Sequence, residues 1–195
     1  MTLLILGLVL FIGAHAFPMF AARHKAAVER YGLGPIKGVV SVVSLIGFVM
    51  IIYGYGQART AGMPLLYQPP FWMSHVVWLL MIPAMIVLVA AYIPSRIKLW
   101  TKHPMLLAVK IWATAHLLAN GELQSVVLFS SFLAWAVIAR ISAKRRERAG
   151  YLKPFELGDT PAANDLIVVV IGATAYVAFL LWLHGALIGV PLMVP

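Results

Sequence analysis

The stretch HPMLLAVKIWATAHLLANG, residues 103–121, decides how the chain is read. It places a histidine, a lysine and an asparagine inside a helix that is otherwise apolar. A single ionisable side chain at membrane depth costs about 2.5 kcal/mol or more, so such residues tend to face a bundle interior and mark a function. At 3.6 residues per turn, Met105, Trp112, His116 and Asn120 share one stripe and Lys110 lies well off it. The stripe is expected to form a pocket wall.

Around this stretch the composition is that of a lipid-embedded protein. Of 195 residues, 63% are hydrophobic and 11% charged. Apolar runs near the ~20 residues needed to span a bilayer recur along the chain. They extend from Thr2 to about Phe20, Ile36 to Gly56, Phe71 to Tyr92, Pro104 to Ala119, Leu123 to Ala139 and Leu166 to Ile188. Ala14-His15-Ala16 imitates a signal-cleavage site, but no basic residue precedes the first run, which is therefore read as an uncleaved helix. The absence of cysteine excludes disulfides, thiolate metal sites and cysteine nucleophiles.

The expected fold is an all-α integral membrane protein, one domain over residues 1–195, forming a single bundle of six transmembrane helices. Loops 22–35, 93–103 and 140–165 carry three, three and six Lys or Arg, whereas the other two carry one (Arg59) and none. By the positive-inside rule the three basic loops are cytoplasmic and both termini face outside. The net charge of +9 is thereby explained by topology, and no nucleic-acid partner is expected. The expected surroundings are a lipid bilayer.

Two histidines lie inside apolar runs. His116 shares its stripe with Trp112 and Asn120; His15 stands one helical turn beyond Phe11 and ahead of Pro18, whose missing amide leaves a carbonyl open. Neutral imidazoles projecting from two helices into a dry bundle are what axial ligation of haem iron requires, although each could equally hydrogen-bond a neighbouring helix. His75, nearer the outer surface, is the substitute ligand. His24 and His184 are weaker candidates. His103, ahead of Pro104 at a helix start, could contact a propionate or phosphate or simply sit at the interface. Depth sets a constraint on the pair. His116 is roughly 18 Å from the start of its helix, whereas His15 is only about 9 Å from a helix end at Phe20. The mismatch shrinks to about 6 Å if the first helix continues past Arg23 and the hairpin tip at 120–122 stays sunk in the bundle.

Several motifs resemble the NnrU family. They are Gly13-Ala14-His15 followed by Pro18 and Arg23, KHPM at 102–105, K-x-W-A-x-A-H-L-L-A-N-G at 110–121 and LFSSFLAWAV at 128–137, in order through the first five spans. The resemblance implies a multi-span bacterial inner-membrane protein linked to denitrification through nitrite and nitric oxide reductase, and leaves open whether it is an enzyme. The family is similar in turn to zeta-carotene isomerase, which binds haem b. Carried over by position, that similarity implies haem b held by His15 and His116; the stripe residues Trp112 and Asn120, together with Arg23 and His103, are the further residues expected around it. Ala113 stands where the isomerase pattern has cysteine, so a switch between sulfur and nitrogen ligands is not available to this chain. The His103-Pro104 pair also resembles the cofactor motif of isoprenylcysteine-type membrane methyltransferases, whose polar tail has no counterpart in the apolar residues leading to Pro195.

Three function classes follow from these readings. The first is a haem-b protein handling electrons or a small apolar or gaseous ligand such as nitric oxide. The second is a haem-dependent isomerase of a polyene. The third is a non-catalytic assembly factor for a membrane reductase, its protein partner unknown.

Overall fold

The computed structural model describes residues 1–158 and 160–192; the final residues 193–195, including Pro195, lie outside the described residues. The described chain is helical, with one isolated bridge between Leu65 and Glu122. Its helices are α1 (Thr2–Ala16), α2 (Ala21–Tyr31), α3 (Leu33–Thr60), α4 (Met73–Ala90), α5 (Arg96–Thr101), α6 (Pro104–Ala119), α7 (Leu123–Arg148), α8 (Ala163–Ala178) and α9 (His184–Ile188). A 3-10 turn at Phe17–Met19 extends α1, and a π-helical turn at Phe179–Leu183 joins α8 to α9.

Five segments are long and apolar enough to cross a membrane: Thr2–Met19, Leu33–Thr60, Met73–Ala90, Leu123–Arg148 and Ala163–Ile188. Pro104–Ala119, expected as a sixth span, is an apolar helix of 16 residues. At 1.5 Å per residue it is about 24 Å long, short of the ~30 Å hydrocarbon core. It starts with Pro104 in its first turn and stops at Asn120, which adopts an extended backbone.

Two segments expected as loops are helices. Basic loop 22–35 holds α2, an amphipathic helix with Lys25 and Glu29 one turn apart at 3.7 Å. It ends at Gly32, whose φ of +84° is open to glycine without strain. Loop 93–103 holds α5, capped by the Ser95 hydroxyl on the Lys98 amide. The basic run Arg140–Arg148 continues α7 beyond the expected end at Ala139, because Ala, Lys and Arg are strong helix formers in water as well as at the interface.

Packing follows the order α3, α1, α7, α6, α4, α8, each helix set mainly against its neighbours in that sequence. Lipid tails are as apolar as leucine, so close van der Waals contact holds such helices together. At the α1–α3 crossing, small residues supply it. A Cβ on Gly7 would stand 2.7 Å from the Ile51 amide nitrogen, and one on Gly54 would strike the Leu4 backbone. Gly172 of α8 lies equally close to Ile86 of α4, 2.6 Å from its Cα on the same measure. The centre of the bundle is a cluster of Leu4, Leu8, Ile51, Ala113, Leu128 and Phe129.

The basic segments meet at one end. Arg96 pairs with Asp165 at 3.9 Å, the Asn164 amide donates to the Pro94 carbonyl, and the Lys98 ammonium lies over the Phe155 ring. At the other end, residues 61–72 strap the α6–α7 turn. The Leu66 amide donates to the Gly121 carbonyl (2.8 Å), the Leu123 amide to Pro64 (2.9 Å), and the Tyr67 hydroxyl to the carbonyls of Leu117 and Asn120. Gly121 is required there, since any Cβ would collide with the Tyr67 carbonyl.

Candidate functional site

His15 is placed by α1 and His116 by α6, and the two are anchored identically. Nδ1 of His15 lies 2.8 Å from the Phe11 carbonyl and Nδ1 of His116 lies 2.8 Å from the Trp112 carbonyl, each one turn back along its own helix. A carbonyl only accepts, so Nδ1 carries the proton in both rings and Nε2 keeps its lone pair. That is the tautomer a metal-ligating histidine adopts when its second nitrogen is held by the protein. The Ser44 hydroxyl of α3 stands 3.4 Å from Nδ1 of His15.

Aromatic rings surround both imidazoles. His15 stacks on Phe11 at 4.3 Å and meets the edge of Trp135 at 5.9 Å. His116 contacts Phe129 at 4.6 Å and Trp112 at 5.1 Å. Phe132 joins the two groups, 5.6 Å from Phe11 and 5.6 Å from Trp112. His15 is thus level with Trp135 of α7 and His116 with Phe129, six residues apart, which is an axial offset of about 9 Å. The sequence places His15 one turn beyond Phe11 and His116 one turn beyond Trp112, but not the backbone carbonyl that holds either ring. Nor does it place Phe129, Phe132 or Trp135, which come from another helix.

Whether these residues suit a haem divides into two questions. The donor chemistry suits it: two neutral imidazoles, each with Nε2 free, in an apolar bundle. The space between them is occupied by Phe11, Phe132 and Trp112, which a porphyrin bridging both histidines would have to displace. Among the described residues, no three or more His, Asp or Glu side chains gather as a metal-binding group.

The remaining expected residues separate into different surroundings. Trp112 packs between His116, Phe129 and Phe132. Asn120 closes α6, its side-chain amide donating to the His116 carbonyl at 2.9 Å. His103 lies at the basic end, Nε2 2.9 Å from a Glu147 carboxylate oxygen. This is an ion-pair approach off the ring N–H axis, since Nε2 makes no hydrogen bond. Lys102, with φ +61°, turns the chain to deliver His103 there. Arg23 is exposed over the Phe20 ring, and exposed His75 sits between Phe71 and Trp78. His24 meets Phe17. His184 has Nδ1 2.7 Å from the Val190 carbonyl and lies within electrostatic range of His116.

A second polar group was not foreseen. Gln124 and Ser125, 3% and 1% exposed, open α7 from inside the bundle. Ser125 binds the Tyr55 hydroxyl of α3 at 2.9 Å and approaches Glu122 at 3.4 Å. Only the small, polar start of the span hinted at it.

Fold and site together define a helical membrane protein with two half-buried, separately anchored imidazoles among aromatic side chains. Its family is equally definite. The family model described as NnrU protein matches residues 3–192, and the chain belongs to the NnrU family. No curated protein and no solved structure matches it.

Proposed function

We propose that this NnrU-family chain is a haem-b-binding protein of the bacterial inner membrane, serving nitrite and nitric oxide metabolism, with His15 and His116 as its iron donors. The observation that carries the reading is their common anchoring: both rings are held through Nδ1 by a backbone carbonyl one turn back, which leaves the Nε2 lone pair as the free donor. Haem bound there would supply electron transfer or ligation of a small gaseous molecule. The protein's own part is to fix the two rings and, with Phe129, Phe132 and Trp112, to keep water out. Trp112 and Asn120 belong to the binding region through their contacts with His116. Arg23 and His103, at the basic end, are the residues that would hold charged haem propionates.

The filled interior favours a second reading, a non-catalytic assembly factor for a membrane reductase. Isomerisation of a polyene also requires haem and is distinguished by turnover. The deciding experiment is the absorption spectrum of the detergent-solubilised protein, oxidised and reduced. A Soret band with split visible bands on reduction supports the haem reading; a protein purified from haem-replete cells without any such band leaves the assembly reading.

A further inference from the structure

At the basic end, a groove runs between the 3-10 turn after α1, helix α2 and the end of α7. One part, a cavity of about 350 Å³, is walled by apolar side chains including Met19, Ile138 and Ile141. The adjoining part, about 290 Å³, is polar and includes His24, Lys25 and Glu29. Arg146 and Tyr151 line both parts, so the two are continuous.

Three observations specify the occupant. Ile138 and Ile141 are 58% and 47% exposed on a helix long and apolar enough to cross a membrane, so the apolar part opens sideways to acyl chains. Arg146, with Arg145 beside it, stands where the apolar part gives way to the polar one, and Nε of Arg146 is buried without a hydrogen-bond partner among the described residues. A buried, unpaired guanidinium N–H is costly and calls for an acceptor. Finally, the one acid of the groove, Glu29, lies 3.7 Å from Lys25, which leaves Arg145 and Arg146 in excess.

We propose that this groove binds one anionic phospholipid, its phosphodiester on Arg146 and an acyl chain along Ile138 and Ile141. Basic pockets between membrane helices recognise lipid phosphates in this way, and cavities of a few hundred Å³ suit a small ligand. A soluble phosphate would use the polar part and leave the apolar part unfilled. The proposal does not rest on the haem reading.

The test uses the full chain purified in detergent, with phosphatidylglycerol, phosphatidylcholine and inorganic phosphate as probes, read by native mass spectrometry and thermal shift. One phosphatidylglycerol per chain is expected to bind and stabilise, with phosphatidylcholine weaker. Arg146→Gln is expected to bind phosphatidylglycerol about tenfold more weakly, the loss of a charge-assisted hydrogen bond. Ile141→Trp, which fills the apolar part from an exposed position and keeps Arg146, should weaken it too and covers the case in which Arg146→Gln does not fold. Arg148→Gln, outside the groove, should bind as the parent does. Equal binding of both lipids, unchanged binding in Ile141→Trp and in a folded Arg146→Gln, or equal stabilisation by inorganic phosphate would each overturn the proposal.

Discussion

Gly47 of α3 meets Phe11 of α1 backbone to backbone: a Cβ on Gly47 would stand 2.6 Å from the Phe11 amide nitrogen, closer than any real side chain approaches. The pair fixes more than the crossing of two helices, because Phe11 also carries the His15 ring on its face and its carbonyl holds Nδ1. Gly47→Leu is therefore expected to force α1 away from α3. Overpacking a close interface costs about 1–3 kcal/mol, so unfolding in detergent should begin at clearly lower denaturant. The same change at Gly38, where a Cβ meets nothing within 4 Å, should leave the midpoint nearly unchanged.

Tyr67 gives a pH-dependent test of the outer strap. Its phenol lies in the loop between α3 and α4, and partial burial, with Glu122 nearby, raises its pKa above the usual value. The raised folded value means that the neutral phenol stabilises the fold. That contribution is complete below the unfolded pKa near 10 and is lost as pH rises through the folded one. Thermal stability should be flat in this respect up to about pH 10 and then fall. Tyr67→Phe removes the hydroxyl that binds the Leu117 and Asn120 carbonyls. It should cost about 1 kcal/mol at pH 7 and make the alkaline fall shallower. An unchanged alkaline fall in the variant would assign it to another group.

On the proposed haem reading, His15→Ala and His116→Ala should each abolish the low-spin reduced spectrum or turn it high-spin. His24→Ala and His184→Ala should leave it in place. Lys110→Met should also leave it, since Lys110 is about 120° from His116 around α6. Wild-type spectra in both His15→Ala and His116→Ala would move the assignment to His75.

What the sequence disclosed follows from which forces are local. The hairpin of Pro104–Ala119 and Leu123 onward stands where hydropathy, Pro104 and Asn120-Gly121 placed it. Hydropathy reports membrane solvation, however, and is silent where a helix leaves the lipid. For that reason hydropathy alone predicts loops where α2, α5 and the Arg140–Arg148 extension form helix. The position of each histidine one turn from Phe11 or Trp112 was legible; its anchoring on that residue's carbonyl was not, because it depends on the side-chain rotamer. The ring of Phe132 between Phe11 and Trp112 was not, because it depends on the rotation of α7 against two other helices.

The gathering of the basic segments at one end sets the expected topology. With that end cytoplasmic, six spans put both termini outside. Reporters fused after Pro195 and inserted near Gly150 should then have opposite activities, the first active only outside and the second only in the cytoplasm. A cytoplasmically active reporter after Pro195 would show that α6 does not complete a sixth crossing or that the bundle is inverted.

The strap over the α6–α7 turn joins residues made at different times. Tyr67 and Asn120 are 53 positions apart, a delay of roughly 3 to 10 seconds at ordinary rates of synthesis. During that interval the acceptors for the Tyr67 hydroxyl do not yet exist. The latch over the first half of the chain therefore closes only when the α6–α7 turn has been made.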